Sequence, residues 1–60
     1  MARIYANRIW AEAYDYADVR RSLKDAVKKC MQDDVAAGKE GCTPERYEEL
    51  VGEPYPTPVN

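Results

Sequence analysis

The chain has 60 residues, with nine Lys/Arg against eleven Asp/Glu for a net charge of −2, two cysteines and no histidine. That length admits one domain at most, and a chain so short buries only about 60% of the surface its unfolded form exposes, so a lone core is marginal. With no histidine, and with Cys30 and Cys42 outside any Cys-x-x-Cys pair, the ligand spacing of a zinc site is excluded.

The small net charge conceals an asymmetry. Residues 1–31 carry seven Lys/Arg and four acids (+3), whereas residues 32–60 carry two and seven (−5). Halves of opposite sign attract within one chain or between copies and steer encounters with charged partners. No apolar run approaches the roughly 20 residues that cross a bilayer, and "MARIYANRIW" lacks the apolar core and cleavage site of a signal peptide. These features predict a soluble protein of a reducing, bacterial-type cytoplasm with free thiols. The alternative, a Cys30–Cys42 disulfide closing a loop of about a dozen residues, would contribute about 3 kcal/mol in the chain-entropy model.

Residues 2–14 read as a helix whose broad apolar face holds Ala2, Tyr5, Ala6, Ile9, Trp10 and Ala13. Ile4 falls off that face, and strand alternation across "RIYA" is the competing reading. Residues 16–37 give the strongest helical pattern, with Asp15 as candidate N-cap and Asp18 at the positive end of the dipole. Tyr16, Val19, Leu23, Ala26, Cys30 and Asp33 form its stripe, widened by Val27, Met31 and Val35; Gly38 suits the left-handed position past its end. "GKEG" reads as loop. Thr43 as N-cap, Pro44 in the first turn and Gly52 followed by Pro54 delimit a short helix over residues 44–51. A helix of two turns cannot persist alone, so its Tyr47/Leu50/Val51 face must dock on something. Residues 53–60, "EPYPTPVN", read as an extended or disordered tail; laid along a partner or a neighbouring copy, it would be anchored by Tyr55. The fold class is therefore all-α: a three-helix unit within residues 1–52, plus the tail.

Catalytic chemistry finds little footing. The single serine lies mid-helix, no Gly-rich phosphate loop occurs, and Asp33 and Asp34 diverge by about 100° on a helix, which reads as a solvated face. "DDVAAGKEG" lacks the alternating acids of a calcium loop. Cys30 reads as a small buried hydrophobe, and Cys42 as the more exposed and reactive thiol. No catalytic, metal or cofactor residue is assigned. Asp25 and Lys29 read as an i,i+4 pair. Arg20, Arg21, Lys24 and Lys28 lie within about 100° of one another and form a basic face for nucleic acid, the weakest of the alternatives because Asp25 lies among them and the chain is acidic. A candidate partner interface comprises Trp10, Tyr16, Val19, Leu23, Tyr47, Leu50, Val51 and Tyr55, since amphipathic aromatics and apolar stripes dominate contact hot spots. A marginal core makes self-association, as a dimer or higher oligomer, the expected remedy.

The C-terminal third, "AAGKEGCTPERYEELVGEPY", resembles the ending of small XkdX-like proteins of phage and prophage tail gene clusters. Gly38, Lys39, Thr43, Pro44, Glu45, Tyr47, Gly52, Glu53 and Tyr55 occupy the matching positions, and "YADV" (Tyr16 to Val19) resembles the family's helix start. A longer stretch between Val19 and Gly38 and an inserted "EGC" before Thr43 depart from the pattern. The opening "MARIYANRIW" is similar to another group of short phage proteins. The resemblance implies a place in a tail cluster, in the host cytoplasm or on the virion, and no chemistry. Two further readings stand beside that structural or accessory role: a host-directed inhibitor of a bacterial defence or regulatory protein, and nucleic-acid binding.

Overall fold

A computed structural model describes residues 2–56; the tail beyond Pro56 lies outside the described residues. Helix α1 (Ala2–Trp10) turns Ala6 and Ile9 fully inward and packs Ala2, Tyr5 and Trp10 beside them, the face that the 3.6-residue period selects. Ile4 points away and is 48% exposed. The helix stops four residues short of the expected boundary at residue 14. Glu12 adopts the left-handed conformation (φ 58°), and two bonds close the end: Ala13 N–H to the Arg8 carbonyl at 2.8 Å and Glu12 N–H to the Ile9 carbonyl at 2.9 Å. This pair of bonds is a Schellman closure, ordinarily marked by glycine.

The expected helix over residues 16–37 is split. A 3-10 turn spans Tyr16–Asp18, Val19 and Arg20 are extended, and helix α2 runs Arg21–Ala36. Asp15 flanks the 3-10 turn but makes no side-chain cap. The interruption has a packing reason. On one unbroken helix Val19 and Met31 would point about 120° apart; the extended pair lets both enter one core, at 3% and 0% exposure. The buried residues of α2 are Val27 and Met31, both within the widened stripe read from sequence, and Asp34; Leu23, Cys30 and Val35 pack half-buried beside them, whereas Ala26 and Asp33 of that stripe are exposed. Gly38 (φ 71°) closes α2 as anticipated, with Gly38 N–H on the Val35 carbonyl and Lys39 N–H on that of Asp34.

Helix α3 (Pro44–Val51) has the boundaries read from sequence. Thr43 Oγ1 accepts the Arg46 N–H at 3.2 Å, Pro44 opens the first turn, and Gly52 (φ 83°) ends it. Its inner face seats Tyr47 and Val51 in the core with Leu50 alongside. After it the chain folds back. The Tyr55 ring meets Tyr47 edge-on at 5.3 Å, its N–H donates to Glu48 Oε2, and its hydroxyl donates to the Gln32 carbonyl. Tyr55 thus anchors the start of the tail on its own chain.

The three helices surround one core: Ala6, Ile9, Tyr16, Val19, Val27, Met31, Tyr47 and Val51. The protein is all-α. Its radius of gyration of 10.7 Å compares with about 10 Å for a compact chain of this length. The apolar ridge expected to need a second copy is closed within one chain. Tyr16, Val19, Tyr47 and Val51, read as partner contacts, are core residues, and Trp10, Leu23, Leu50 and Tyr55 pack half-buried against them. Among the described residues no helix is long and apolar enough to cross a membrane.

Candidate functional site

The surface of interest begins where α1 ends. Residues 12–18 leave the helix through the left-handed Glu12 and return through the 3-10 turn, and this reversal opposes α3. An open cleft of about 480 Å³ lies between them, lined by Glu12, Ala13, Tyr14, Asp15, Asp18 and Leu50. Three carboxylates set its charge, and the Tyr14 ring and Leu50 supply apolar wall. Tyr14 is fixed from two sides: its ring stacks obliquely on Tyr5 at 5.2 Å, and its hydroxyl donates to the Asp18 carbonyl at 3.2 Å. Asp15 and Asp18 are exposed, and no salt bridge involves either among the described residues. Such a cleft suits a cationic side chain, whose apolar stem and charged head match the wall and the carboxylates.

Two charged side chains organise the end of α1 beside the cleft, and one of them, Arg46, reaches the lining residue Glu12. Arg46 of α3 donates to the Gly41 carbonyl (2.8 Å), to the Trp10 carbonyl (2.9 Å) and to Glu12 Oε2 (3.2 Å), while its guanidinium lies over the Trp10 indole. It therefore satisfies an orphan carbonyl at the end of α1, complements the negative end of that helix dipole, and ties the loop and α3 to the same point. Asp34, which also bonds Trp10, is only 2% exposed. Asp34 Oδ2 accepts from Arg3 at 2.6 Å and from the Trp10 indole N–H at 3.0 Å, and Oδ1 pairs with Lys39 at 3.0 Å. Burial alone would raise its carboxyl pKa. The hydrogen bonds from Arg3, Lys39 and Trp10, with the Arg3 charge, outweigh burial and hold it below the ordinary carboxylate value. The reading of Asp33 and Asp34 as one solvated face is thus half right: Asp33 is exposed, and Asp34 is the buried tie between α1, α2 and the following loop.

The basic face is partly spent within the chain. Lys28 pairs with Glu53 at 2.9 Å and more loosely with Asp25 at 3.8 Å, in place of the expected Asp25–Lys29 pair, and the Glu53 hydrogen bond raises its pKa. The Lys24 ammonium lies 5.2 Å from the centre of the Tyr16 ring. Arg20 and Arg21 remain exposed at the start of α2. The two cysteines are both free and half-buried. Cys42, expected to be the reactive thiol, has its pKa pushed up by burial and by the Asp34 charge, which lowers its thiolate fraction. Among the described residues no group of three or more His, Cys, Asp or Glu is placed to hold a metal ion.

No family model, curated protein or solved structure matches this chain. The XkdX-like resemblance accordingly stands on its quoted motifs. Sequence reasoning missed Arg46 and Asp34 as organisers. One signal was available: Asp34 lies three residues beyond Met31 and seven beyond Val27, the helical spacing of one face, and the lone indole N–H of Trp10 needed an acceptor.

Proposed function

We propose that this chain is a non-enzymatic, phage-type small protein that works by contact with another protein, in a structural or accessory role within a tail cluster. The observation that carries this reading is the cleft of Glu12, Tyr14, Asp15, Asp18 and Leu50: charged, partly aromatic, open, and braced at Glu12 by Arg46 and at Tyr14 by its contacts with Tyr5 and Asp18. A self-contained core leaves function to the surface, and a braced surface costs little ordering entropy on binding. The XkdX-like motifs supply the setting, in the bacterial host cell or on the virion. Affinity-tagged protein, cross-linked in cells during phage assembly and analysed by mass spectrometry, tests the reading. Tail proteins linked to peptides containing residues 12–18 are the expected result; tail proteins absent from the linked set would contradict it.

The second reading, a host-directed inhibitor, draws support from Glu45, Glu48 and Glu49, an exposed acidic row on α3 suited to a basic enzyme surface. A host enzyme in the cross-linked set would favour it. Nucleic-acid binding draws least support, because Lys24 and Lys28 are engaged within the chain, and among the described residues only Arg20 and Arg21 of the basic face form no such contact.

A further inference from the structure

We propose that two copies of this chain pair across a two-fold axis beside Val19, with Arg20 and Arg21 of each entering the Asp15–Asp18 cleft of the other. The inference deepens the contact reading by assigning the cleft an occupant, and rests on it. Asp15, Asp18, Arg20 and Arg21 lie within seven consecutive residues, all exposed, and none forms a salt bridge among the described residues. The start of α2 is poorly served by its own chain. Arg20 occupies the cap position without a side-chain cap, and the first turn contains no acid. Two guanidiniums thus stand at the positive end of a 16-residue helix, where carboxylates are favoured. A few residues away, the cleft holds Asp15 and Asp18, which form no salt bridge among the described residues, beside a Glu12 already paired with Arg46.

Each defect is the complement of the other. Within one chain the two groups are neighbours and do not meet. Across a two-fold axis, a patch with acid on one side and base on the other is self-complementary, and both contacts form twice. The cleft also suits the whole side chain: the Arg stem lies along Leu50 and Ala13, its guanidinium faces Tyr14, and the carboxylates accept its N–H groups. Little apolar surface is available to such a contact, since Ile4 is the only large hydrophobic side chain that is exposed among the described residues. The pair therefore falls short of the roughly 1,000 Å² of a stable interface, and is weak and salt-sensitive.

Sedimentation of the full chain from about 10 µM to about 1 mM, in about 20 and about 300 mM salt, tests this. Wild type should show a concentration-dependent mass increase at low salt that weakens at least tenfold at high salt. Arg20→Glu/Arg21→Glu and Asp15→Lys/Asp18→Lys should each be monomeric, and their equimolar mixture should restore a dimer containing one of each. Neither variant removes a side-chain contact of the core, and circular dichroism confirms that both are folded. Lys29→Glu/Asp33→Lys, with unchanged net charge elsewhere on α2, should associate like wild type. A wild-type monomer throughout the low-salt series overturns the dimer while leaving the cross-links to tail proteins intact. A dimer indifferent to both charge reversals, or a mixture that does not pair, overturns the assigned face.

Discussion

The indole N–H of Trp10 donates to Asp34 Oδ2 at 3.0 Å, joining residues 24 positions apart. With Arg3 and Lys39 on the same carboxylate, this bond ties the end of α1 and the loop after α2 to the one buried acid of the core. Removing the carboxylate leaves an indole donor half-buried and two cations without their partner. Asp34→Ala should destabilise the fold by about 3 kcal/mol, in the range found for broken buried charge pairs. A domain of this size holds only about 3–9 kcal/mol in all, so urea titration should show a large drop in midpoint. An unchanged midpoint would remove Asp34 from its organising role.

The same carboxylate predicts an acid limb. Its folded pKa lies below the unfolded value, so its contribution is complete above about pH 4, the unfolded carboxyl value, and is lost as pH falls through the folded pKa. Wild type should lose more stability between about pH 5 and pH 2 than Asp34→Asn, which has no proton to take up there. Parallel acid titrations by circular dichroism would contradict this if the two curves ran together. At the alkaline end, Tyr16 is raised by burial and Lys28 by its hydrogen bond to Glu53. Their contributions are complete below their unfolded values near pH 10 and fade as pH rises through the folded ones.

Arg46 should resist conservative replacement. Its fork serves the Gly41 and Trp10 carbonyls and Glu12 together, which one ammonium cannot reproduce. Arg46→Lys is expected to cost about 1–2 kcal/mol, as lost hydrogen bonds from a charged group do, and to shift the emission of the single tryptophan to the red as its neighbour withdraws. Urea midpoints and fluorescence spectra check both.

The caps of α3 carry their own forecast. Thr43→Ala removes the acceptor for the Arg46 N–H and should cost about 1 kcal/mol. Gly52→Ala meets nothing within 4 Å of the new Cβ, so its cost of about 1 kcal/mol comes from the left-handed backbone alone. Thermal melts of the two variants should therefore show similar drops.

These contrasts mark what was readable in the chain. Helix α3 was readable to the residue because Thr43, Pro44 and Gly52 act locally. The end of α1 was not, because its left-handed residue is Glu12, and what holds Glu12 is Arg46, 34 positions away. The break at Val19–Arg20 was equally hidden: periodicity across residues 16–37 is intact, and only the need to aim Val19 and Met31 at one core interrupts it. Of the candidate site, the aromatics drew notice, but the sequence did not say which of them turn inward. Tyr16 and Tyr47 fill the interior, while the cleft is built from Tyr14, Leu50 and acids that a linear reading assigns to a helix face (Glu12) and to a helix start (Asp15 and Asp18).

One chain closes its own core, and its exposed surface among the described residues is mostly polar and charged. Thermal unfolding at about 300 mM salt, where a charge-paired dimer is dispersed, tests it most directly across about 5 to 500 µM protein. A single cooperative transition with the same Tm throughout the series is expected. A Tm that climbs by several degrees with concentration at that salt would mean that the fold itself requires a second copy, and would contradict it.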